Sequence, residues 1–205
     1  MRIRDLAISG AFEITPRQHS DDRGTFLESY RFEVLAEALG HRFELAQANT
    51  SVSARGVLRG VHYADVPPGQ AKYVMCASGA ALDVVVDLRV GSSTFGRWDA
   101  ARLDDVDRRA VYLSEGLGHA FLSLQDGTTM TYLCSTVYSP GREHGVHPLD
   151  PDLGIEWPAD VERLLSAKDA AAPTVSAALE GGLLPRLDEC TDWARGARSA
   201  ASGGT

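Results

Sequence analysis

The first 140 residues of this chain read as a run of short β segments cut by Gly, Pro and Asp, which limits the fold more than any single motif does. The candidate strands are Ala11–Thr15, Thr25–Tyr30, Glu44–Ser53, Lys72–Ser78, Ala81–Arg89, Arg97–Leu103, Ala110–Leu113, His119–Leu124 and Thr128–Val137. Strands at this spacing, with few helical interruptions, predict a mainly β sandwich or barrel. One helix is expected at Arg31–Leu39, where Phe32, Leu35 and Leu39 recur at helical spacing and Gly40 can end it.

Within the run around residue 85, Leu82, Val84, Val86 and Leu88 share one strand face, leaving Asp83, Val85, Asp87 and Arg89 on the other. Two carboxylates on an otherwise apolar strand point to a polar lumen or a salt-bridged rim, and Asp87 with Arg89 at the strand end fits the rim. After Tyr138 the character changes. Pro140, Pro148, Pro151 and Pro158 mark a turn-rich segment, and a short helix is expected over Pro173–Glu180. The chain therefore reads as one domain over residues 1–185, with short C-terminal helices, and a partly disordered tail over 186–205.

A net charge of −8 argues against a nucleic-acid backbone or an anionic membrane surface as partner. Three cysteines, Cys76, Cys134 and Cys190, are odd in number and widely spaced, which fits a reducing compartment. The N-terminal residues form no apolar signal core and no run approaches membrane-spanning length, so the expected location is the cytoplasm.

The chemistry concentrates in Gly56–Lys72, where Arg59 and Lys72 can hold anionic oxygens and His62 can move a proton near neutral pH. A lone His near a strand is more often structural than catalytic. Tyr63 and Ala64 stand where a second histidine of a His-x-His metal motif would be, which argues against a closed metal site. Arg59 and His62 are three apart, so a regular strand points them to opposite faces. They serve one pocket only if Gly60 introduces a bulge, and Arg59 can otherwise be a surface charge. Tyr132 and Tyr138 are six apart and would share a face of an unbroken strand, as proton donor, ring wall or plain core.

Several ordered motifs then coincide with one family: Asp22-Arg23-Gly24-Thr25-Phe26, Gln47-Ala48-Asn49-Thr50-Ser51, Arg59-Gly60-Val61-His62-Tyr63 and Pro68-Gly69-Gln70-Ala71-Lys72. Asp83–Arg89, Ser92–Gly96, Tyr132 through Tyr138-Ser139-Pro140, Asp150-Pro151 and Ser166-Ala167-Lys168-Asp169 complete the set. With them the chain, from about residue 1 to 185, resembles the dTDP-4-dehydrorhamnose 3,5-epimerase family of cupin-fold enzymes.

The resemblance implies a cupin-type double-stranded β-helix, a jelly-roll sandwich, and a homodimer. It implies epimerisation at C3 and C5 of a dTDP-4-keto-6-deoxyhexose through an enolate, without metal or redox cofactor. His62 is then the base, oriented by Asp169; Lys72 faces the C4 oxygen; and Tyr132 delivers a proton from the other side. Arg23 and Arg59 match diphosphate-binding positions, and Phe26, Glu28, Gln47 and Asn49 match the nucleotide region. His119 and Tyr138 match positions that line the sugar pocket. Ala120 replaces a glycine common in the family, as in relatives from antibiotic deoxysugar pathways, some of which invert C3 alone. C3-only epimerisation is thus one alternative, and others are a keto-isomerase, a non-catalytic sugar-nucleotide binder and a metal-dependent cupin oxygenase.

Overall fold

A computed structural model describes residues 1–202, with side chains described through residue 196. The strands of the N-terminal part are β1 (Arg2–Asp5), β2 (Ala11–Thr15), β3 (Gln18–Asp21), β4 (Gly24–Leu27) and β5 (Gln47–Ser53), with helix α1 (Phe32–Leu39) before β5. The central part carries β6 (Leu58–Ala64), β7 (Lys72–Ser78), β8 (Ala80–Asp87), β9 (Trp98–Asp104) and β10 (Ala110–Leu113). Next come β11 (Leu117–Ser123), β12 (Thr128–Cys134) and β13 (Glu143–Gly145), followed by α2 (Ala167–Ala170), α3 (Val175–Glu180) and α4 (Leu187–Ser202).

Two antiparallel sheets form a cupin-type sandwich, in the orders β1-β2-β10-β7-β12-β5 and β13-β6-β11-β8-β9. The face alternation along β8 is as the sequence predicts. Val84, Val86 and Leu88 pack outward beneath the C-terminal segment, against Trp157, Val161 and Ala178. Val85 points between the sheets with Val74, Leu103, Phe121 and Met130. A third apolar cluster seats α1 on the outer face of the six-stranded sheet through Leu35, Leu39, Tyr73 and Tyr112. The left-handed Gly40 (φ +74°) ends α1.

The predicted strands recur with small shifts of their ends, but four strands lie outside those predictions. β1, β3 and β13 are short and poor in apolar residues, so periodicity carries no signal for them. β6 is interrupted by Gly60, which hides its alternation. β12 ends at Cys134 rather than Val137, so the expected common face for Tyr132 and Tyr138 does not exist.

The segment read as a tail from residue 186 carries α4, whose Cys190 is buried. Residues 203–205 lie outside the described residues.

The rim reading of Asp87 and Arg89 is met. Arg89 Nε donates to Asp87 Oδ1 at 2.8 Å and Nη2 to Oδ2 at 2.9 Å, and the hydroxyls of Ser92 and Thr94 donate to the same carboxylate. Both charged side chains are buried, and they tie the end of β8 to the loop that follows.

Candidate active site

A cavity of about 220 Å³ opens between the two sheets, and both contribute to its walls. The five-stranded sheet supplies Arg59 and His62 from β6 and His119 from β11. The six-stranded sheet supplies Asn49 from β5, Lys72 from β7 and Tyr132 from β12. Register explains the grouping. Lys72 stands opposite Cys134, two residues along β12 from Tyr132, so the amine and the phenol share one sheet face.

The parity conflict between Arg59 and His62 is resolved by a bulge. On β11, His119 pairs with His62 but Phe121 pairs with Arg59, so between these pairs Ala120 alone faces both Gly60 and Val61 of β6. Gly60 makes this possible, with φ +117° and no room for a side chain: a Cβ there would meet the His119 carbonyl oxygen at 2.5 Å and the Ala120 Cβ at 2.6 Å. Arg59 and His62 therefore both reach the cavity.

His62 Nε2 lies 2.7 Å from Asp169 Oδ1. An ionised carboxylate can only accept, so Nε2 carries the proton and Nδ1 is left as the accepting nitrogen. Asp169 belongs to α2, and its backbone N–H donates to the N-capping Ser166 Oγ at 3.1 Å, which fixes the turn. Burial opposes ionisation of Asp169, yet the hydrogen bond and charge of His62, helped by Ser166 and the Gly60 backbone, hold its carboxyl below the ordinary carboxylate range.

A second imidazole–carboxylate pair lies beside it. His119 Nε2 is 2.8 Å from Asp83 Oδ2, with both residues buried. Asp83 is thus the lumen carboxylate anticipated on the inner face of β8, and its Oδ1 has no partner among the described residues.

Lys72 makes no hydrogen bond or ion pair among the described residues. Burial pulls its amine below the ordinary lysine value, against the opposing influence of Cys134, Glu143 and Asp83. The phenol of Tyr132 lies 2.9 Å from Ser51 Oγ, and burial raises its pKa above the ordinary tyrosine value. Arg59 donates from Nε to Ser53 Oγ at 3.3 Å and has no carboxylate partner among the described residues, so its charge is available at the cavity mouth.

A second, outer cavity of about 420 Å³ shares Arg59 and His62 and adds Tyr138, Asp169, Glu143 and Lys168. Tyr138 and His62 thus both line this outer mouth, whereas Tyr132 lines only the inner cavity. Gln47 braces the mouth without lining either cavity. Its Nε2 donates to Asn49 Oδ1 and its Oε1 accepts from the Tyr138 N–H, each at 2.8 Å.

Arg23, Phe26 and Glu28 are not brought to either cavity within one chain. β3 and β4 pair only with each other, Phe26 is 71% exposed, Arg23 pairs with Asp21, and Glu28 pairs with Arg31 at 3.5 Å.

Ser51, Gln70 and Lys168 stood inside the quoted motifs without an assigned role, yet all three line the cavities. Cys134, also inside a quoted motif without a role, lines the inner one, and Glu143 lines both with no local pattern to announce it. Among the described residues no group of three or more His, Cys, Asp or Glu side chains converges as a metal-binding set, and no helix is long and apolar enough to cross a membrane.

With this geometry in place, comparison with known proteins gives a consistent picture. The family described as dTDP-4-dehydrorhamnose 3,5-epimerase matches residues 5–177. A dTDP-4-dehydrorhamnose 3-epimerase of Streptomyces niveus is 57% identical over 190 residues, covering 93% of this chain and 91% of that protein. A dTDP-4-dehydrorhamnose 3,5-epimerase of Mycolicibacterium smegmatis is also 57% identical over 190 residues, covering 93% of this chain and 94% of that one. The crystal structure of a 3'-monoepimerase from Streptomyces bikiniensis in complex with dTDP-quinovose superimposes with a TM-score of 0.92 at 53% identity, covering 94% of this chain and 98% of the other.

Proposed function

The chain belongs to the dTDP-4-dehydrorhamnose 3,5-epimerase family, and from that premise we propose that it inverts C3 and C5 of a dTDP-4-keto-6-deoxyhexose through an enolate. It is an isomerase of the epimerase class. One observation carries the mechanism: His62 comes from one sheet, and Tyr132 and Lys72 come from the other, around a single cavity.

A hexose ring held between the sheets has an imidazole on one side and a phenol on the other. The C4 ketone acidifies the neighbouring C–H bonds. His62 removes such a proton, and Asp169 orients the ring and stabilises the imidazolium that forms. The unpaired Lys72 ammonium stabilises the negative charge arriving on the C4 oxygen. Tyr132 returns a proton to the opposite side of the same carbon. His119, held by Asp83, contacts the sugar, and Tyr138 shapes the outer mouth.

Arg59, exposed at the junction of the two cavities, would bind the diphosphate. Asn49 and Gln47 would border the nucleotide. Arg23, Phe26 and Glu28 would contribute to this region from a second protomer, because the β3–β4 hairpin stands away from its own cavity with its aromatic and cationic side chains exposed. The active form is then a homodimer. Three free cysteines fit an enzyme of the reducing cytoplasm.

The test is to incubate the purified protein with dTDP-4-keto-6-deoxyglucose and identify the sugar by proton NMR, beside light scattering of the protein alone. Conversion to the C3,C5-inverted sugar by a species of twice the 22.0 kDa chain mass is expected. A single inverted centre would replace the two-centre reading with the C3-only one. An unchanged sugar would overturn epimerisation, and an active monomer would overturn the shared site.

A further inference from the structure

The reading of Tyr132 as proton donor leaves open what happens to the phenolate it becomes. Burial disfavours that charge, and the phenol has one hydrogen-bonding partner among the described residues, the hydroxyl of Ser51 at 2.9 Å. Among the described residues the Ser51 hydroxyl has no other partner. Both residues line the same cavity, on the paired strands β5 and β12, and Ser51 is half-buried, so it joins the phenol to the more open edge of the sheet.

The direction of that hydrogen bond decides which way the tyrosine proton points. If Tyr132 donated to Ser51, its proton would be turned away from the sugar. If Ser51 donates, the Tyr132 oxygen is held by one lone pair and its own O–H is free to face the ring.

We infer that Ser51 is a positioning residue for Tyr132, donating its hydroxyl hydrogen to the phenol oxygen and returning the proton after each delivery. The inference rests on the role of Tyr132 given above. In the delivery step the Tyr132 O–H bond breaks, a C–H bond forms with the electron pair of the enolate, and the C4 ketone is restored. The phenolate then takes the proton of Ser51 Oγ, which is replaced from solvent water. The water is in turn made good by the proton that His62 releases to solvent, so each turnover leaves no net proton change.

The experiment compares Ser51→Ala, Ser51→Thr and Tyr132→Phe with the unaltered enzyme, measuring kcat, KM and deuterium uptake at C3 in heavy water. Ser51→Ala should lower kcat for epimerisation about 10- to 100-fold, the value of a hydrogen bond to a developing charge, with KM and C3 exchange little changed. Ser51→Thr, which keeps the hydroxyl, should recover most of the loss.

Full epimerisation by Ser51→Ala, equal losses in exchange and epimerisation, or no recovery with threonine would each overturn the role of Ser51. Tyr132→Phe separates the two levels of the argument. If it epimerises normally, the acid assignment fails and the role of Ser51 fails with it. If it is crippled while Ser51→Ala is normal, only the role of Ser51 fails.

Discussion

His62 and His119 stand directly opposite one another across the β6–β11 pair, and each is tied to a carboxylate of its own, Asp169 at 2.7 Å and Asp83 at 2.8 Å. The two carboxylates come from different places, a short C-terminal helix and the inner face of β8. One imidazole is accessible and the other buried. That difference fits a base that must protonate and deprotonate in turnover beside a fixed polar contact.

Substituting His62 by alanine removes the only base assigned to the cavity. Hydrogen exchange at C3 and epimerisation should both fall at least about 100-fold, the usual contribution of a positioned base. Binding of the nucleotide sugar, measured by calorimetry, should stay within a few-fold of the original, because His62 is not assigned to the diphosphate.

On the proposed role of Lys72 as an ammonium facing the C4 oxygen, Lys72→Met should lower kcat about 10²- to 10³-fold, as loss of a preorganised oxyanion donor does. Burial lowers its pKa, so the charged form is lost as pH rises through a value below the usual lysine range of about 10.4. The rate should accordingly decline on the alkaline side earlier than an exposed lysine would allow, and Lys72→Met should lack that limb. A flat alkaline profile in the unaltered enzyme would sink the assignment.

Asp87→Asn should destabilise the fold by about 3–5 kcal/mol, since it leaves Arg89 buried without its counter-charge. Burial alone would raise the Asp87 pKa, but Arg89, Ser92 and Thr94 together hold it below the ordinary value. Its stabilisation is therefore present above about pH 4, the unfolded value, and is lost as pH falls through the folded one. Urea unfolding should show the gap between the two proteins closing in acid.

Gly60→Ala should cost on the order of 1–3 kcal/mol from its φ of +117°, with the contact to the His119 carbonyl adding to it. Activity should fall further than stability, because the bulge is what sends Arg59 and His62 to one cavity. A variant with normal turnover would show that the bulge does not set the site.

How much of this was legible in the sequence varies from residue to residue. The outward face of β8 was readable because apolar alternation is local, and Asp87 with Arg89 needed only strand spacing. His62, Lys72, Tyr132 and Asp169 were recognisable through ordered motifs. That Arg59 joins His62 depends on the path of β11 against Gly60, a relation between segments sixty residues apart. Tyr138 was placed on the wrong geometry because nothing near Cys134 marks the end of β12. Ser51 and Glu143 went without roles because a hydroxyl or a carboxylate in a polar stretch becomes a wall only when distant strands close around it. α4 was hidden by the Gly, Ser and Ala content of its end, although Cys190 packs near its start.

The most direct test of the account is incubation with dTDP-4-keto-6-deoxyglucose in heavy water, following deuterium at each carbon by NMR. Label at both C3 and C5, accompanied by inversion, is the predicted result. Label at C3 alone would contradict the two-centre reading while keeping the enolate, and no label at either carbon would contradict enolate chemistry on this sugar altogether.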